Sequence, residues 1–182
     1  MRCESMNHRQ RHTASLYCLP VVFGLLSLTI CAVSQQTQRA KTNSASDESD
    51  IREMISKYAR SVDEAGTTLA SQVWLDSPDV SFIHPLGHEH GSDQIKENVY
   101  KRLMEDTFSE RKLTPRDISV HVYGGAAWAE FYWDFVAKFR KDGSSITTHG
   151  RETQVYQKMQ DGWRLVHVHY SGMPTTDERK GF

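Results

Sequence analysis

Apolar residues recur three and four positions apart between Ile51 and Val62, and two positions apart after Pro115. The chain therefore reads as a helical half followed by a stranded half. Ile51, Met54, Ile55, Tyr58, Ala59 and Val62 form one stripe of an amphipathic helix. Asp50 and Glu53 read as a capping pair at its start, and Gly66 as its end. Thr67 or Thr68 then caps a shorter helix that turns Leu69, Val73 and Trp74 inward. Residues 80–84 predict a short strand halted by Pro85, with Pro85-Leu86-Gly87 and His90-Gly91 as turns. Ser92 caps a third helix that buries Ile95, Val99, Leu103 and, at its end, Phe108.

The second half predicts strands over 118–123, 126–139, 146–159 and 163–171, joined by hairpins at Gly124-Gly125, Asp142-Gly143 and Asp161-Gly162. Three helices followed by an antiparallel meander predict an α+β fold, with the helices covering one face of a strongly bent sheet. Alternation separates the faces. Ala129, Phe131, Trp133, Phe135 and Ala137 are all apolar and predict the concave, helix-covered side. Trp128, Glu130, Tyr132, Asp134 and Val136 share the other face, where aromatics among carboxylates suggest a sheet-to-sheet homodimer. On the last strand His167 and His169 fall on this outer face, opposite Val168 and Tyr170, and Trp163 reads as core closing the sheet edge.

Composition changes the picture mainly at the N-terminus. Arg2, Arg9 and Arg11 precede a nearly uncharged run over 16–33 that ends on Ala32-Val33-Ser34, the three-part pattern of a cleaved secretory leader. Pro20 and Gly24 interrupt the run, so a stable membrane anchor after cleavage is not expected. Residues 1–34 thus read as a signal peptide of a secreted or periplasmic protein, 35–48 as a flexible polar linker, 49–174 as the domain and 175–182 as a polar tail. Cys3, Cys18 and Cys31 all lie in the leader, leaving the domain without disulfides or thiolate chemistry. A net charge of -1 supplies no basic field, so no nucleic-acid partner is expected. No phosphate loop, nucleophile elbow or nucleotide fingerprint appears, and no cofactor is expected.

The closing stretch, Gly150-Arg151-Glu152-Thr153-Gln154-Val155-Tyr156 and then Asp161-Gly162-Trp163-Arg164-Leu165-Val166-His167-Val168-His169-Tyr170-Ser171-Gly172, resembles the SnoaL-like branch of the nuclear transport factor 2-like superfamily. It is similar to the last strands of the calcium/calmodulin-dependent protein kinase II association domain. The arginines of that domain's pocket correspond to Trp133, Gln154 and Tyr170, none of them arginine here. The resemblance covers about residues 49–174 and implies a cone of helices on a bent sheet.

A looser similarity to ketosteroid isomerases implies site residues. Tyr58 matches a hydrogen-bonding tyrosine, His84 in His84-Pro85-Leu86-Gly87 stands where those enzymes carry an aspartate, and Glu152 lies near a second acid. A histidine at a pocket mouth can serve as base and then as acid. Tyr58 and Glu152 could support a developing oxyanion, and Glu152 could alternatively orient His84. Phe131, Trp133, Phe135, Gln154 and Tyr170 are expected to line the ligand pocket. The expected function is binding of a small apolar molecule, with isomerase or lyase chemistry by proton transfer; the alternative is a non-catalytic ligand-binding or self-assembly module. His84, His88, Glu89 and His90 cluster in sequence, but their spacing is not a helical His-Glu-x-x-His motif, and no metal site is expected.

Overall fold

The computed structural model describes residues 44–173; the expected leader, the first part of the expected linker and the expected polar tail lie outside the described residues. Helix α1 occupies 44–64, and α2 spans Thr67–Val73. Strands β1 (Ser81–His84) and β2 (Gly87–His90) form a hairpin. Helix α3 (Gly91–Gln94) runs on into a π-helical segment, Ile95–Glu105. Four long strands follow: β3 (Phe108–Tyr123), β4 (Ala126–Phe139), β5 (Ser145–Met159) and β6 (Gly162–Gly172). They make a six-stranded curved, unclosed sheet in the order β2-β1-β6-β5-β4-β3, antiparallel except where β1 lies parallel to β6. The helices pack on its concave face, as the α+β expectation requires.

Helix α1 buries Ile51, Ile55, Tyr58, Ala59 and Val62, the stripe its spacing predicts. It begins earlier than expected. Residues 44–48 are helical rather than linker, and Asp50 sits inside the helix rather than at its cap. The cause is long-range: Asp47 is buried, accepting from Trp163 Nε1 at 3.2 Å and pairing with Lys158 Nζ at 2.5 Å. The end also differs, because Ala65 and not Gly66 takes the left-handed conformation, with φ of 50°. Gly66 is extended and starts α2, where no side chain caps the helix.

The π-helical segment turns Ile95, Val99 and Tyr100 into the core. Successive i→i+5 bonds widen the helix, so positions four and five apart share a face. That is why Tyr100 joins Val99 inside. Between the turns read at Pro85-Leu86-Gly87 and His90-Gly91 lies a strand, Gly87–His90, and β3 starts at Phe108, ten residues before the predicted start. Phe108 consequently packs against Phe135 and Phe139 of the neighbouring strand, not on the third helix. Pro115 lies within β3, which is tolerated because β3 is the sheet's edge.

Arg111 of β3 ties these pieces together. Its guanidinium donates to the Met104, Phe108, Val62 and Asp63 carbonyls, and Asp63 in turn accepts the Leu113 N–H at 2.6 Å. The end of α1, the π-helical segment and the edge strand are thereby held in register over the cavity.

The two predicted faces of β4 are observed. Ala129, Phe131, Trp133 and Ala137 are buried, whereas Tyr132 and Val136 are exposed. Trp163 is core as expected, but β6 is an interior strand, so it closes no edge. A bulge at Val155/Tyr156 shifts the register of β6 and keeps Trp163, Leu165 and Val168 all inward.

Candidate functional site

The concave side encloses a cavity of about 310 Å³ with almost wholly apolar walls. Tyr58 of α1, His84 of β1, Glu152 of β5 and Tyr170 of β6 all face it, so four separate elements converge on one space. Trp133 and Phe135 form part of its wall, with Leu86 at the tip of the β1–β2 hairpin. Trp133 and Tyr170 pack ring to ring, centroids 4.6 Å apart, and leave the cavity open beside them.

Two residues expected in the wall are not there. Phe131 is buried core, and Gln154 is fully buried outside the lining set. Both point inward but are closed off by packing, at 3% and 0% exposure. Gln154 has a different task. Its amide donates to Glu152 Oε1 at 2.6 Å while its carbonyl oxygen accepts from the Tyr156 hydroxyl.

This alternation on β5 places Glu152, Gln154 and Tyr156 in one buried hydrogen-bonded row. Tyr58 bonds the carboxyl from the helical side. Burial pushes the Glu152 carboxyl up to about 8, against the lowering effect of the Gln154 and Tyr58 hydrogen bonds. At neutral pH it is therefore an uncharged acid with a proton to donate. Burial, and next the neighbouring Glu152, lift the Tyr58 hydroxyl well above its usual range, so it too keeps its proton.

Tyr100, which the sequence pattern does not single out, also faces the cavity. Its hydroxyl lies 2.9 Å from Ser61 Oγ and accepts from Trp74 Nε1 at 3.2 Å. Ser61 Oγ donates to the Tyr58 carbonyl, so the Tyr100 proton goes to Ser61. Tyr100 is consequently committed to the scaffold. Burial pushes it up to about 12, with the Ser61 and Trp74 bonds opposing.

The carboxylate that faces His84 is Glu89, not Glu152. Glu89 Oε1 stands 3.4 Å from His84 Nε2, and His84 Nδ1 accepts the Leu86 N–H at 3.3 Å. Alternation along β2 explains both this and the fate of the histidine cluster. Glu89 pairs with Phe82 on the inner side, whereas His88 and His90 turn outward with ring centroids 4.0 Å apart. Sequence neighbours thus end on opposite faces of the sheet. Among the described residues no set of three or more His, Cys, Asp or Glu side chains is arranged to hold a metal ion.

His169 is exposed and His167 half-buried on the outer face, as alternation predicts. His167 Nδ1 lies 2.8 Å from Ser81 Oγ, and burial followed by His169 and His88 pulls its pKa down. Nearby, His121 stacks on Trp128 and Asp134 bridges Arg116 and His149.

Comparison with known proteins supports this architecture. A nuclear transport factor 2-like superfamily protein from Salmonella enterica serovar Typhimurium is 46% identical, covering 76% of this chain and 99% of that chain with a TM-score of 0.73. A candidate dehydratase of the same superfamily from Streptomyces avermitilis is 19% identical over 72% of this chain and 99% of its own, TM-score 0.65. The association domain of C. elegans CaMKII is 16% identical over 71% and 98%, TM-score 0.57. No match is found among curated proteins. With residues 51–176 matching the model of the SnoaL-like domain, the chain belongs to the SnoaL-like family within the nuclear transport factor 2-like superfamily.

Proposed function

We propose that the domain binds a small apolar carbonyl compound in its cone and moves a proton on it, as a cofactor-independent isomerase or lyase. The observation that carries this reading is an uncharged, proton-bearing Glu152 paired with Tyr58 in an apolar cavity that His84 also faces. Such donors suit an oxygen on which negative charge develops, because a low-dielectric wall strengthens their hydrogen bonds. His84 takes the proton from the carbon beside the carbonyl. The C–H electrons move into the enolate, whose oxygen is held by Glu152 and Tyr58. The imidazolium then returns the proton to another carbon, or to a leaving hydroxyl in an elimination. The resemblance to the Streptomyces candidate dehydratase is in keeping with the second outcome.

1-Tetralone, an apolar cyclic ketone with exchangeable α-hydrogens, tests the reading. In D2O the protein is expected to accelerate α-deuteration saturably, as followed by proton NMR. His84→Ala is expected to lower that rate by about a hundredfold or more while leaving the far-UV spectrum unchanged. Wild-type exchange no faster than in buffer, or an unaltered His84→Ala rate, would refute the assignment.

We further propose export to the periplasm or medium, supported by the leader pattern, and a homodimer through the outer sheet face. Tyr132 and Val136 are exposed on that face, beside a polar groove of about 470 Å³. A self-assembly role in place of catalysis is favoured by the same face and by the likeness to an association domain. Sedimentation at micromolar concentration is expected to show a dimer that Val136→Glu converts to monomer. A monomeric wild type would dismiss the interface.

A further inference from the structure

The proposed reaction requires His84 to become a cation inside an apolar wall, and the structure shows what meets that charge. His84 Nε2 is buried and has no hydrogen-bond partner, although Glu89 Oε1 lies only 3.4 Å away. Both side chains are close to nine-tenths buried, at 8% and 12% exposure. On the far side, Glu89 Oε2 accepts from Asn98 Nδ2 at 2.6 Å. Asn98 lies on the π-helical segment, so a different element braces the carboxylate from behind. Gly87 completes the arrangement: its Cα hydrogen faces the pair, and a Cβ there would meet Glu89 Oε1 at 3.5 Å and His84 Nε2 at 3.9 Å.

At 3.4 Å the contact between Nε2 and the Glu89 carboxylate is a hydrogen bond left unclosed, and a positive charge on the ring is what would draw it shut. When the ring gains a proton, a charge-assisted N–H···O bond to Glu89 can close with a small movement. The other ring nitrogen settles which atom does what. Nδ1 accepts the long bond from the Leu86 N–H, so the neutral ring carries its hydrogen at Nε2. A proton leaving the substrate therefore arrives at Nδ1 as the Leu86 N–H, in an exposed turn, gives up its long bond there to solvent, and the Nε2–H turns to Glu89.

We infer that Glu89, braced by Asn98, is the positioning residue of His84, fixing its tautomer and neutralising the imidazolium formed during proton transfer. This inference rests on the proton-transfer reading above, and its test does not depend on turnover. Glu89→Gln preserves shape and can still accept from Asn98 through its amide oxygen.

The first measurement is the 15N and Nε2–H proton spectrum of the His84 imidazole, with the ring protonated, in wild type, Glu89→Gln and Asn98→Ala. The Nε2–H proton is expected downfield in wild type, markedly upfield in Glu89→Gln and between the two in Asn98→Ala. The second is 1-tetralone deuteration. Glu89→Gln is expected to lower the maximal rate ten- to a hundredfold with little change in half-saturation, and Glu89→Asp to recover part of it. Identical His84 spectra in wild type and Glu89→Gln would overturn the inference whether or not the protein exchanges tetralone. A shifted spectrum in a protein with no exchange activity would uphold the pair and reject only the reaction.

Discussion

Replacing Glu152 by Gln is expected to make the domain more stable, and increasingly so as pH rises from 5 to 9. The carboxyl titrates at about 8 in the folded protein because it is buried, against 4.5 for the ordinary side chain. Between those values the folded chain binds more protons than the unfolded one, so stability falls as pH rises. Above pH 8 the whole penalty is present; below 4.5 it is absent. Glutamine has no charge to desolvate and can still accept from Gln154 Nε2 and bond Tyr58. The gain should therefore be near zero at pH 4, about 3 kcal/mol at pH 7 and about 5 kcal/mol by pH 9. Urea titrations at pH 5, 7 and 9 would show the two midpoints diverging. Parallel midpoints across that range would mean that Glu152 does not hold its proton. The variant should also lose most tetralone exchange, which would place the burial of this acid among the features kept for function at the expense of stability.

Gly150→Ala is expected to be the most damaging small substitution in the sheet, costing about 3 kcal/mol or more. Gly150 pairs with Trp133 across β4 and β5, and a Cβ built on it would overlap both the Trp133 ring and the Ser171 carbonyl oxygen. Neither neighbour can retreat easily. Trp133 is 1% exposed and packed against Tyr170, and Ser171 is backbone on the adjacent strand. A single methyl would drive the indole toward the cavity and narrow the site. Denaturation midpoint and Trp fluorescence report the two effects together, and a loss under about 0.5 kcal/mol would show that the indole has room to shift.

Much of the architecture was legible in advance. The apolar stripe of α1, the hairpin glycines and the two faces of β4 follow from local periodicity, which any element must obey to bury one side. The misplaced boundaries share a cause. Residues 44–48, the Gly87–His90 strand and the first half of β3 are polar, and each is recruited by a partner distant in sequence. Asp47 is drawn in by Trp163, β2 by β1, and the charged start of β3 by β4 along an edge where its side chains stay solvated. α-Helical spacing does not mark Tyr100 as inward, because a π-helical face follows a different period.

For the site, the residue types were readable and the partnerships were not. Tyr58, His84, Glu152, Trp133, Phe135 and Tyr170 do share one cavity, while Phe131 and Gln154 fall outside it. Glu89 stood in plain view between two histidines, and strict alternation over Gly87–His90 would have separated it from them.

The last strand, with its Gly-Trp-Arg-Leu-Val-His run, determined the family and with it the α+β scaffold, since pattern and turn chemistry are local properties of the chain. Whether the cone is hollow, that Glu89 rather than Glu152 meets His84, and that Glu152 keeps its proton were decided only by the tertiary structure. Each depends on strand register, side-chain volume and depth of burial, which arise when segments distant in sequence are packed together.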